Sequence, residues 1–410
     1  MSERFQAPRG THDVLPTDAA WWATLRTVEE TLRLHAWRRI QTPGFEDTGL
    51  FARTAGAASD VVHKEMYTFE DRSGRSLTLR PEGTAPIARA YLEHGMHREP
   101  QPVKAYTVAP MYRYGRPGRG RHREHWQVSV EAIGSADPAI DAEVVAVYAE
   151  ILRRLGVTQW ELRLNSIGDA ACRPAYVDRL NAWLDDHESL LGEEARHKRA
   201  TSPLQVFDVK DPALRDALAD APTIGDSLCG ACQDHFDAVR GRLDALGVPY
   251  VLDPTLVRGL DYYSRTTFEF LGPDENANST ICGGGRYDGL VEQIGGPPTP
   301  GIGFGAGVER LLLALENENV TEQQPALDVF VVVDGGDRGG AQVLLQQLRR
   351  LGLAADMDYA GRSVKGQLSQ AARTGAATVA VLRADDVLLR RAGRPDHTLA
   401  LEEVAATLTP

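Results

Sequence analysis

The chain has 410 residues, of which 42% are hydrophobic and 25% are charged, and its formal net charge is −12. This length suits two or three domains with apolar cores, and the negative charge argues against a protein that coats nucleic acid without selectivity. No apolar run approaches a membrane span and the N-terminus lacks the pattern of a signal peptide, so we predict a cytoplasmic protein that does not contact a membrane.

The N-terminal third alternates helices with short strands. Apolar residues at helical spacing predict a long helix over residues 17–36, with Thr17 as its N-cap. Pro43 and Gly44 then interrupt a short strand. Further strands are predicted at residues 67–69 and 76–79, and helices at residues 84–91 and 138–155. This order predicts an α+β fold with an antiparallel sheet flanked by helices.

The segment LRPEGTAPIARA leads from a strand into a helix and places Glu82 and Thr84 at the helix start. Two interpretations of Glu82 stay open. Its carboxylate complements the positive end of the helix dipole, or it accepts hydrogen bonds from the ammonium group of a ligand.

Five arginines occupy a glycine-rich segment between two regular apolar strands, at positions 113, 116, 119, 121 and 123. The glycines exclude an ordinary helix, so we predict an arginine-rich loop held at the mouth of a hairpin. On the second strand Gln127, Ser129 and Glu131 alternate with apolar residues and therefore share one face. Burying three polar groups is costly unless they are paired or wet, which favours a binding pocket on that face.

Residues 169–247 carry charged helical patterns with few strand signals, and we predict an inserted helical domain. Four cysteines are too few for a disulfide scaffold in a chain of this length. Cys229 and Cys232 form a Cys-x-x-Cys pair with His235 just beyond, but no second pair completes a tetrahedral zinc set. The sequence therefore predicts no metal site, and the pair is interpreted as small buried side chains.

The run RGLDYYSRTTFEF, from Arg258 to Phe270, is the most informative part of the chain. Its alternation predicts a strand with Arg258 at the mouth, on a turn at Gly259. A guanidinium beside the phenols of Tyr262 and Tyr263 suits a small anionic or phosphorylated ligand. The alternative is a surface arginine next to two core tyrosines.

Four glycines at period two predict a strand with one bare face: Gly301, Gly303, Gly305 and Gly307. The spacing differs from the dinucleotide-binding fingerprint. A bare face admits a flat ring or another backbone, and Arg310 on the next helix would point back towards it. A tight packing seam between helix and strand is the alternative. Upstream, CGGGRYDGL is predicted to place Arg286 and Tyr287 on a turn.

The C-terminal part begins a new unit. A polar stretch at residues 317–325 predicts a linker. Beyond it, strands at residues 328–333, 354–359 and 377–382 alternate with helices at residues 340–351 and 363–374. This alternation predicts a small α/β module with a mostly parallel sheet.

Five blocks in this order resemble the histidyl-tRNA synthetase family, which belongs to the class II aminoacyl-tRNA synthetases. RRIQTPGFEDTGLF is similar to class motif 1, MYRYGRPGRGRHREHWQVSVE to motif 2 and GIGFGAGVERLLL to motif 3. VRGLDYYSRTTFEF and CGGGRYDGL resemble the signature blocks of the histidine enzymes, and GRSVKGQLSQAARTGA resembles a segment of the anticodon-binding domain.

The resemblance implies a class II antiparallel-sheet catalytic domain with a helical insertion, followed by a small α/β anticodon-binding domain. The implied boundaries are residues 1–168 and 248–322 for the catalytic core, 169–247 for the insertion and 326–410 for the last domain. It also implies a homodimer that joins L-histidine to its tRNA in two steps with ATP and Mg²⁺. The insertion would approach the acceptor stem of the tRNA.

The resemblance also implies roles for individual residues. Arg258 and Arg113 would act in catalysis, and the ATP phosphates would contact Arg113, Arg121 and Arg310. The adenine would lie over the alternating glycines. The ammonium group of histidine would contact Glu82, Thr84 and Gln127, and Glu131 and Tyr263 would contact its imidazole. The complete histidine-binding set would be Glu82, Gly83, Thr84, Gln127, Glu131, Tyr262 and Tyr263.

Three alternative functions are weighed against this one. A histidine-binding regulatory paralogue of the same domain, a subunit of ATP phosphoribosyltransferase, generally lacks the C-terminal module and the arginines of the motif 2 loop. A purely RNA-binding module without catalysis would give no function to Arg258 or to the polar face of the strand. A class II enzyme for another amino acid is disfavoured by the segment from Arg258 to Tyr263.

Overall fold

The computed structural model describes residues 5–54, 64–209, 211–259, 262–272, 280–320, 327–335 and 337–408. The chain forms two compact units, Met1–Thr321 and Glu322–Pro410. Helices and strands are mixed and the largest sheet is mainly antiparallel, which confirms the predicted α+β class. Within the described ranges, no helix combines the length and apolarity needed to cross a membrane.

The first unit contains these helices within the described ranges: α1 (Ala19–Leu34), α2 (Thr48–Thr54), α3 (Thr84–Glu93), α4 (Pro138–Leu155), α5 (Arg173–Asp186), α6 (Glu193–Thr201), α7 (Pro212–Leu218), α8 (Gly230–Leu246), α9 (Leu290–Gln293) and α10 (Val308–Asn317). Its strands are β1 (Arg38–Arg39), β2 (Phe45–Asp47), β3 (Thr68–Glu70), β4 (Ser76–Leu79), β5 (Val103–Tyr112), β6 (Glu124–Ile133), β7 (Glu161–Ser166), β8 (Val251–Leu252), β9 (Ser264–Leu271), β10 (Thr280–Arg286) and β11 (Gly301–Gly307).

The main sheet has eight strands in the order β1-β5-β6-β11-β10-β9-β7-β8. Its pairs are antiparallel except for the two edge pairs, β1 with β5 and β7 with β8. One face packs against α1, α4, α8 and α10 through a continuous apolar core that includes Leu32, Val130, Val144, Phe268 and Phe304. Burying an apolar side chain of this size contributes roughly 1.5–3 kcal/mol, so this face is the stable base of the unit.

Helix α4 shows why one boundary prediction succeeded. Asp137 caps the helix by accepting a hydrogen bond from the N–H of Ala139 at 2.8 Å, and Pro138 occupies the first turn. Gly156 ends the helix in the left-handed conformation with φ of 78°. These start and stop signals lie in the chain itself, so the predicted range of 138–155 is confirmed.

The prediction of an N-cap at Thr17 is wrong. Helix α1 begins at Ala19, and Asp18 holds the N-cap position. The Asp18 carboxylate accepts a hydrogen bond from the N–H of Leu15 at 2.7 Å and makes none to the helix amides. A turn closed by Asp18 therefore precedes the helix, and the local side-chain bond shifts the boundary.

The predicted insertion region is helical in its described residues, with α5 to α8 and short 3-10 segments at Glu188–Leu190, Pro203–Asp208 and Gly225–Ser227. Its apolar side chains form a cluster with residues of α3 and of the tyrosine-bearing segment before β9, and this cluster includes Tyr176, Leu180, Leu184, Leu214 and Tyr262. The helices of residues 169–247 therefore pack against the part of the core that carries the predicted site.

The second unit contains β12 (Val329–Val333), α11 (Arg338–Arg350), β13 (Ala355–Met357), α12 (Val364–Arg373), β14 (Thr378–Leu382), β15 (Val387–Arg391), β16 (His397–Leu399) and α13 (Leu401–Leu408). Its sheet order is β13-β12-β14-β15-β16, with the first three strands parallel and the last two antiparallel. The parallel part follows the prediction, whereas the final hairpin was not predicted. Of the predicted linker at 317–325, residues 321–325 lie outside the described ranges.

Candidate active site

A cavity of about 260 Å³ opens on the face of the main sheet opposite the apolar core, where the arginine loop meets β10, β11 and the start of α3. Its walls are mostly polar. They include nine residues that the sequence analysis selected: Glu82, Thr84, Arg113, Arg121, Gln127, Arg258, Tyr262, Tyr263 and Arg310. Three neighbouring strands and two loops thus bring together motifs that are almost 230 positions apart.

The polar side chains of β6 face the cavity side, as predicted. Ser129 and Glu131 are fully buried and Gln127 is 9% exposed, whereas Val128 and Val130 belong to the apolar core on the other face. Strand β6 pairs with β11 so that Gln127, Ser129 and Glu131 stand opposite Gly307, Gly305 and Gly303, respectively. Each polar residue therefore has a glycine as its cross-strand neighbour.

The glycines of β11 make room for these polar side chains. A Cβ on Gly305 would lie 2.7 Å from the Gln127 amide nitrogen, and a Cβ on Gly303 would overlap the Glu131 carboxylate. The inner part of the glycine face is therefore filled by protein. Gly305 and Gly307 still line the cavity, so only this outer part of the bare face remains open to a flat ring.

Glu131 lies at the inner end of the site and is not part of the cavity wall. Its carboxyl accepts hydrogen bonds from the Thr84 hydroxyl at 2.7 Å and from the Tyr287 hydroxyl at 2.5 Å. Complete burial raises its pKa to about 8, although the two hydroxyls act in the opposite direction. This carboxyl therefore holds its proton to a higher pH than an exposed glutamate does.

Glu82 and Gly83 shape the start of α3. The Glu82 carboxylate accepts hydrogen bonds from the N–H groups of Thr84 and Ala85 at 2.6 and 2.9 Å, which is the helix-terminus role considered for it. It also lines the cavity, so the two interpretations are compatible. Gly83 is the N-cap residue and is not part of the cavity wall.

The two tyrosines of the signature run are buried and border the cavity. The ring centroids of Tyr262 and Tyr263 are 4.7 Å apart, and Tyr287 meets the ring of Tyr262 edge-on at 5.9 Å. Burial raises the pKa of each phenol, so all three remain neutral donors. Tyr262, Tyr263 and Thr84 therefore place hydroxyl-bearing side chains along the cavity wall.

Four guanidinium groups line the same cavity: Arg113, Arg121, Arg258 and Arg310. Burial lowers the pKa of Arg310, and the positive charges of the other three lower it further. Burial and the nearby arginines also lower the pKa of His125 to about 3. Burial raises the pKa values of the Glu82 and Glu309 carboxyls, that of Glu309 to about 7. The cavity therefore has a strong surplus of positive charge, which suits a polyanion.

Two of these arginines are held by backbone carbonyls. Arg113 donates from Nε to the carbonyl of Pro81 at 2.7 Å, and Arg310 donates from Nη1 to that of Thr280 at 2.6 Å. Neutral acceptors orient a guanidinium without cancelling its charge. The geometry thus fixes two cations in advance of any ligand.

Arg258 has a different environment. Its guanidinium forms an ion pair with the Glu269 carboxylate and lies over Gly283, where a Cβ would collide with it. Its Nε has no hydrogen-bond partner among the residues that the structure describes. Arg258 and Glu269 retain 21% and 19% side-chain exposure, so this pair sits at the edge of the cavity.

The remaining arginines of the loop face elsewhere. Arg119 contacts Glu316 at 3.3 Å on the surface, and Arg123 stacks on the Tyr114 ring at 3.9 Å. The hairpin with its arginine loop is confirmed, but only Arg113 and Arg121 line the cavity. The sequence pattern of the loop does not show which of its arginines line the cavity and which contact the surface.

The prediction that Arg286 lies on a turn is wrong. Arg286 ends strand β10 and is completely buried, paired with the Asp141 carboxylate. The three glycines before it lie within the strand, where a Cβ on Gly284 would meet the side chains of Phe268 and Phe304. The glycines therefore serve close packing of strands, and Tyr287 follows directly with its hydroxyl on Glu131.

Several lining residues were not selected from the sequence. His125 continues the period-two set of Gln127, Ser129 and Glu131, so the alternation itself was an available signal. Thr280 and Glu309 flank the glycine strands but carry no distinguishing pattern. Glu65 reaches the cavity from a distant segment that no local motif marks.

Comparison with known proteins gives one consistent family. The family profile described as Histidyl-tRNA synthetase matches residues 10–311. A curated histidine--tRNA ligase from Moorella thermoacetica is 48% identical over 386 residues, which are 93% of this chain and 90% of the relative. The crystal structure of apo S. aureus histidyl-tRNA synthetase is similar with a TM-score of 0.83 and 36% identity, over 99% of this chain and 100% of that one.

A second solved structure bears on the regulatory alternative. It is described as an ATP phosphoribosyltransferase regulatory subunit/histidyl-tRNA synthetase from Bacillus halodurans, with a TM-score of 0.65 and 23% identity. It covers 90% of this chain and 97% of its own length. At this level of identity the likeness shows a shared fold.

Proposed function

The chain belongs to the histidyl-tRNA synthetase family, and from this membership we propose that it is a histidine--tRNA ligase. It activates L-histidine with ATP and then transfers the histidine to the 3′-terminal adenosine of its tRNA. Identity of 48% over nearly the full length of a curated ligase supports the assignment for the whole chain.

The observation that carries the proposal is the joining of two chemically different compartments in one cavity. Four guanidinium groups surround one part, and hydroxyl, amide and carboxyl groups line the other. A triphosphate carries several negative charges and fits the first part, whereas a small zwitterionic amino acid fits the second. Placing both reactants in contact is what an amino-acid-activating enzyme requires.

In the first step, a carboxylate oxygen of histidine attacks the α-phosphorus of ATP. The bond between that phosphorus and the bridging oxygen breaks, and pyrophosphate leaves with the bond electrons. Two anions approach each other and charge builds on the α-phosphate oxygens, so fixed cations lower the barrier. We assign this role to Arg258 and Arg113, with Arg121 and Arg310 on the outer phosphates.

In the second step, a hydroxyl group of the terminal adenosine of the tRNA attacks the carbonyl carbon of the histidyl-adenylate. The bond between this carbon and the phosphate oxygen breaks, the attacking hydroxyl gives up its proton to a phosphate oxygen, and AMP leaves. The same cations stabilise the departing phosphate.

Histidine is selected at the inner end of the cavity. Glu82, Thr84 and Gln127 face the ammonium group. Gly83 between them leaves room for the Ser129 side chain, which a Cβ at position 83 would overlap. The imidazole ring reaches Tyr263, with Tyr262 packed behind, and Glu131 beyond. Hydroxyls from Thr84 and Tyr287 orient the Glu131 carboxyl. A site built to pair both ring nitrogens rejects side chains that lack them, because its buried polar groups would stay unpaired.

The adenine of ATP lies against Gly305 and Gly307, the open part of the glycine strand. Mg²⁺ accompanies the phosphates, and its chemistry is to neutralise charge on the outer phosphate oxygens. Glu309 fits this ion: it lines the cavity, and its Oε2 is buried with no hydrogen-bond partner among the described residues.

The remaining assignments follow from the family. The unit Glu322–Pro410 binds the anticodon, the helices of residues 169–247 approach the acceptor stem, and the chain acts as a cytoplasmic homodimer. The regulatory-paralogue alternative is less well supported, because the chain retains the arginines of the motif 2 loop and matches curated ligases over 93% of its length.

The test is histidine-dependent exchange of pyrophosphate into ATP by the purified chain. We expect exchange with histidine and none above background with other amino acids, including glutamine and phenylalanine. Bound histidine without any exchange would instead support the regulatory paralogue. Exchange with another amino acid would refute the assigned specificity.

A further inference from the structure

Three of the four cysteines and one aspartate meet at the base of the helical insertion. The ligand atoms of Asp169, Cys172, Cys229 and Cys232 all lie within 4.8 Å of one another. Asp169 and Cys172 stand immediately before α5, and Cys229 and Cys232 stand at the start of α8. The fold therefore brings an Asp-x-x-Cys pair and a Cys-x-x-Cys pair together in one cluster. Only the Cys-x-x-Cys pair was recognised in the sequence.

Two of these separations match a tetrahedral metal centre, and the others lie within 4.8 Å. Zn–S bonds of about 2.3 Å and Zn–O bonds of about 2.1 Å at tetrahedral angles place two sulfurs about 3.8 Å apart and a sulfur and an oxygen about 3.6 Å apart. The sulfurs of Cys172 and Cys232 are 3.8 Å apart, and the Cys172 sulfur is 3.7 Å from Oδ1 of Asp169. A disulfide needs about 2.05 Å, and all three cysteines are free thiols.

Both loops carry the backbone geometry that supports thiolate ligands. The N–H of Asp169 donates to the Cys172 sulfur at 3.4 Å. The N–H of Cys232 donates a hydrogen bond to the Cys229 sulfur. Gly168 has φ of +61°, and a Cβ there would lie 2.6 Å from the Cys172 sulfur, so only glycine permits this close turn.

Neighbouring groups orient the aspartate and balance the charge. Arg265 donates to Oδ2 of Asp169 from Nη2 at 3.1 Å, which leaves Oδ1 turned towards the sulfurs. Three thiolates, one carboxylate and a divalent ion sum to −2, and this guanidinium offsets part of that charge.

We propose that Asp169, Cys172, Cys229 and Cys232 bind one Zn²⁺ ion in a closed structural site. Four protein ligands leave no open position for catalysis, and soft sulfur donors favour zinc over magnesium or calcium. This proposal departs from the expectation of no metal site, which rested on linear spacing alone. Asp169 occupies the place of a fourth cysteine, and only the fold brings it to the pair.

The site would tie the insertion to the histidine-binding segment. The N–H of Arg265 donates to the carbonyl of Gly168 at 2.7 Å, and the N–H of Ile167 donates to the carbonyl of Arg265 at 2.8 Å. Arg173 donates from Nη2 to the carbonyl of Tyr263 at 2.7 Å. The loop that carries Asp169 is thus bonded directly to the chain on either side of Ser264, next to the tyrosine pair.

The test measures metal content, which does not depend on the proposed activity. The full chain is purified without a metal-binding tag and without chelators, and zinc is counted by inductively coupled plasma mass spectrometry. We expect about one zinc ion per chain in the wild type and in the control Cys282→Ala, because Cys282 lies apart from the cluster. The Cys229→Ser variant should lose at least about nine-tenths of the zinc bound by the wild type.

Cobalt substitution distinguishes this ligand set from other sites. Protein produced in cobalt medium should show the intense visible bands of tetrahedral Co²⁺ and a sulfur-to-cobalt charge-transfer band. Asp169→Cys should keep the metal and increase the charge-transfer band by roughly one third, since four thiolates replace three. If Cys229→Ser does not fold, stepwise mercurial titration of the wild type replaces it, with zinc release expected in proportion to thiols modified.

Zinc at background level in the wild type would overturn the proposal. The same conclusion follows if Cys229→Ser retains wild-type zinc, if Asp169→Cys leaves the cobalt spectrum unchanged, or if mercurial modification of the thiols releases no metal.

Discussion

Replacing Arg258 by alanine is the sharpest test of the proposed chemistry, because this guanidinium, unlike those of Arg113 and Arg310, is paired with a carboxylate, and its loss therefore changes the local charge in two ways. Arg258 pairs with Glu269 at the cavity edge, and its Nε lacks a partner within the described part of the chain. Alanine removes the cation and also exposes the carboxylate of Glu269 to the phosphates. Both changes disfavour the accumulation of negative charge at the α-phosphorus.

The size of the effect follows from electrostatics. One unit charge about 4 Å from another is worth about 4 kcal/mol at an effective dielectric constant of about 20. Only the part gained between ground state and transition state affects kcat, and losing one such preorganised group typically costs about 10²–10³-fold in kcat, or roughly 2.7–4 kcal/mol. We expect this fall in the rate of adenylate formation. The Kd for ATP should change by less than about tenfold, since three guanidiniums remain.

The assay is single-turnover formation of histidyl-adenylate by rapid quench, with ATP affinity measured separately by calorimetry. Three variants are compared: Arg258→Ala, Arg258→Lys and the double variant Arg258→Ala with Glu269→Ala. The double variant removes the exposed carboxylate and leaves only the missing cation. If the cation itself is responsible, the double variant stays at least about 10²-fold below the wild type.

Two results would refute this reasoning. Adenylate formation by Arg258→Ala within about threefold of the wild type would show that Arg258 does not act on the transition state. Recovery of the wild-type rate in the double variant would show that the damage came from the unpaired carboxylate of Glu269.

Three further predictions concern other parts of the site. Burial raises the pKa of Glu131 from 4.5 to about 8, so between these values the folded state holds a proton that the unfolded chain loses, and the stability of the wild type falls as pH rises. The melting temperature of Glu131→Gln should therefore improve relative to that of the wild type from pH 5 to pH 8. A difference in melting temperature that stays constant over this range would contradict the assigned cause. In the arginine loop, Arg121→Ala should raise the KM for ATP by about 10-fold or more. Arg119 pairs with the surface carboxylate of Glu316, so Arg119→Ala should change this KM less than about twofold. Equal effects would show that the two arginines do not differ in their contact with ATP. Gly303→Ala should lower the free energy of unfolding by about 1–3 kcal/mol, because its Cβ overlaps a buried carboxyl. The control Gly241→Ala lies in open space on α8 and should raise that free energy by up to about 1 kcal/mol. Both are measured by denaturant unfolding, and equal stabilities of the two variants would contradict the overlap.

Local signals located many elements correctly. Capping by Asp137 and termination at Gly156 bound α4, and alternation of apolar residues predicted the polar face of β6. These signals act between residues close in sequence, so the chain displays them without a fold. The error at the start of α1 has the same origin, because two neighbouring residues, Thr17 and Asp18, compete for one cap position.

The site needed more than local signals. Arg121 and Arg119 are two positions apart in one loop, yet the first lines the cavity and the second pairs with Glu316. Tyr287 and Thr84 reach Glu131 from separate elements, and their hydrogen bonds define its environment. Such contacts depend on strand register and on the packing of β10 and β11, neither of which periodicity determines.

The sequence by itself determined the α+β class, most helices and strands and the family, because periodicity, caps and motif spacing are properties of neighbouring residues. Only the tertiary structure decided which polar side chains meet. It set Gln127, Ser129 and Glu131 opposite three glycines, and it brought Asp169 and Cys172 to the Cys229 and Cys232 pair. The physical reason is that burial, strand pairing and charge neighbours arise from contacts between distant segments, and these exist only when the chain is folded.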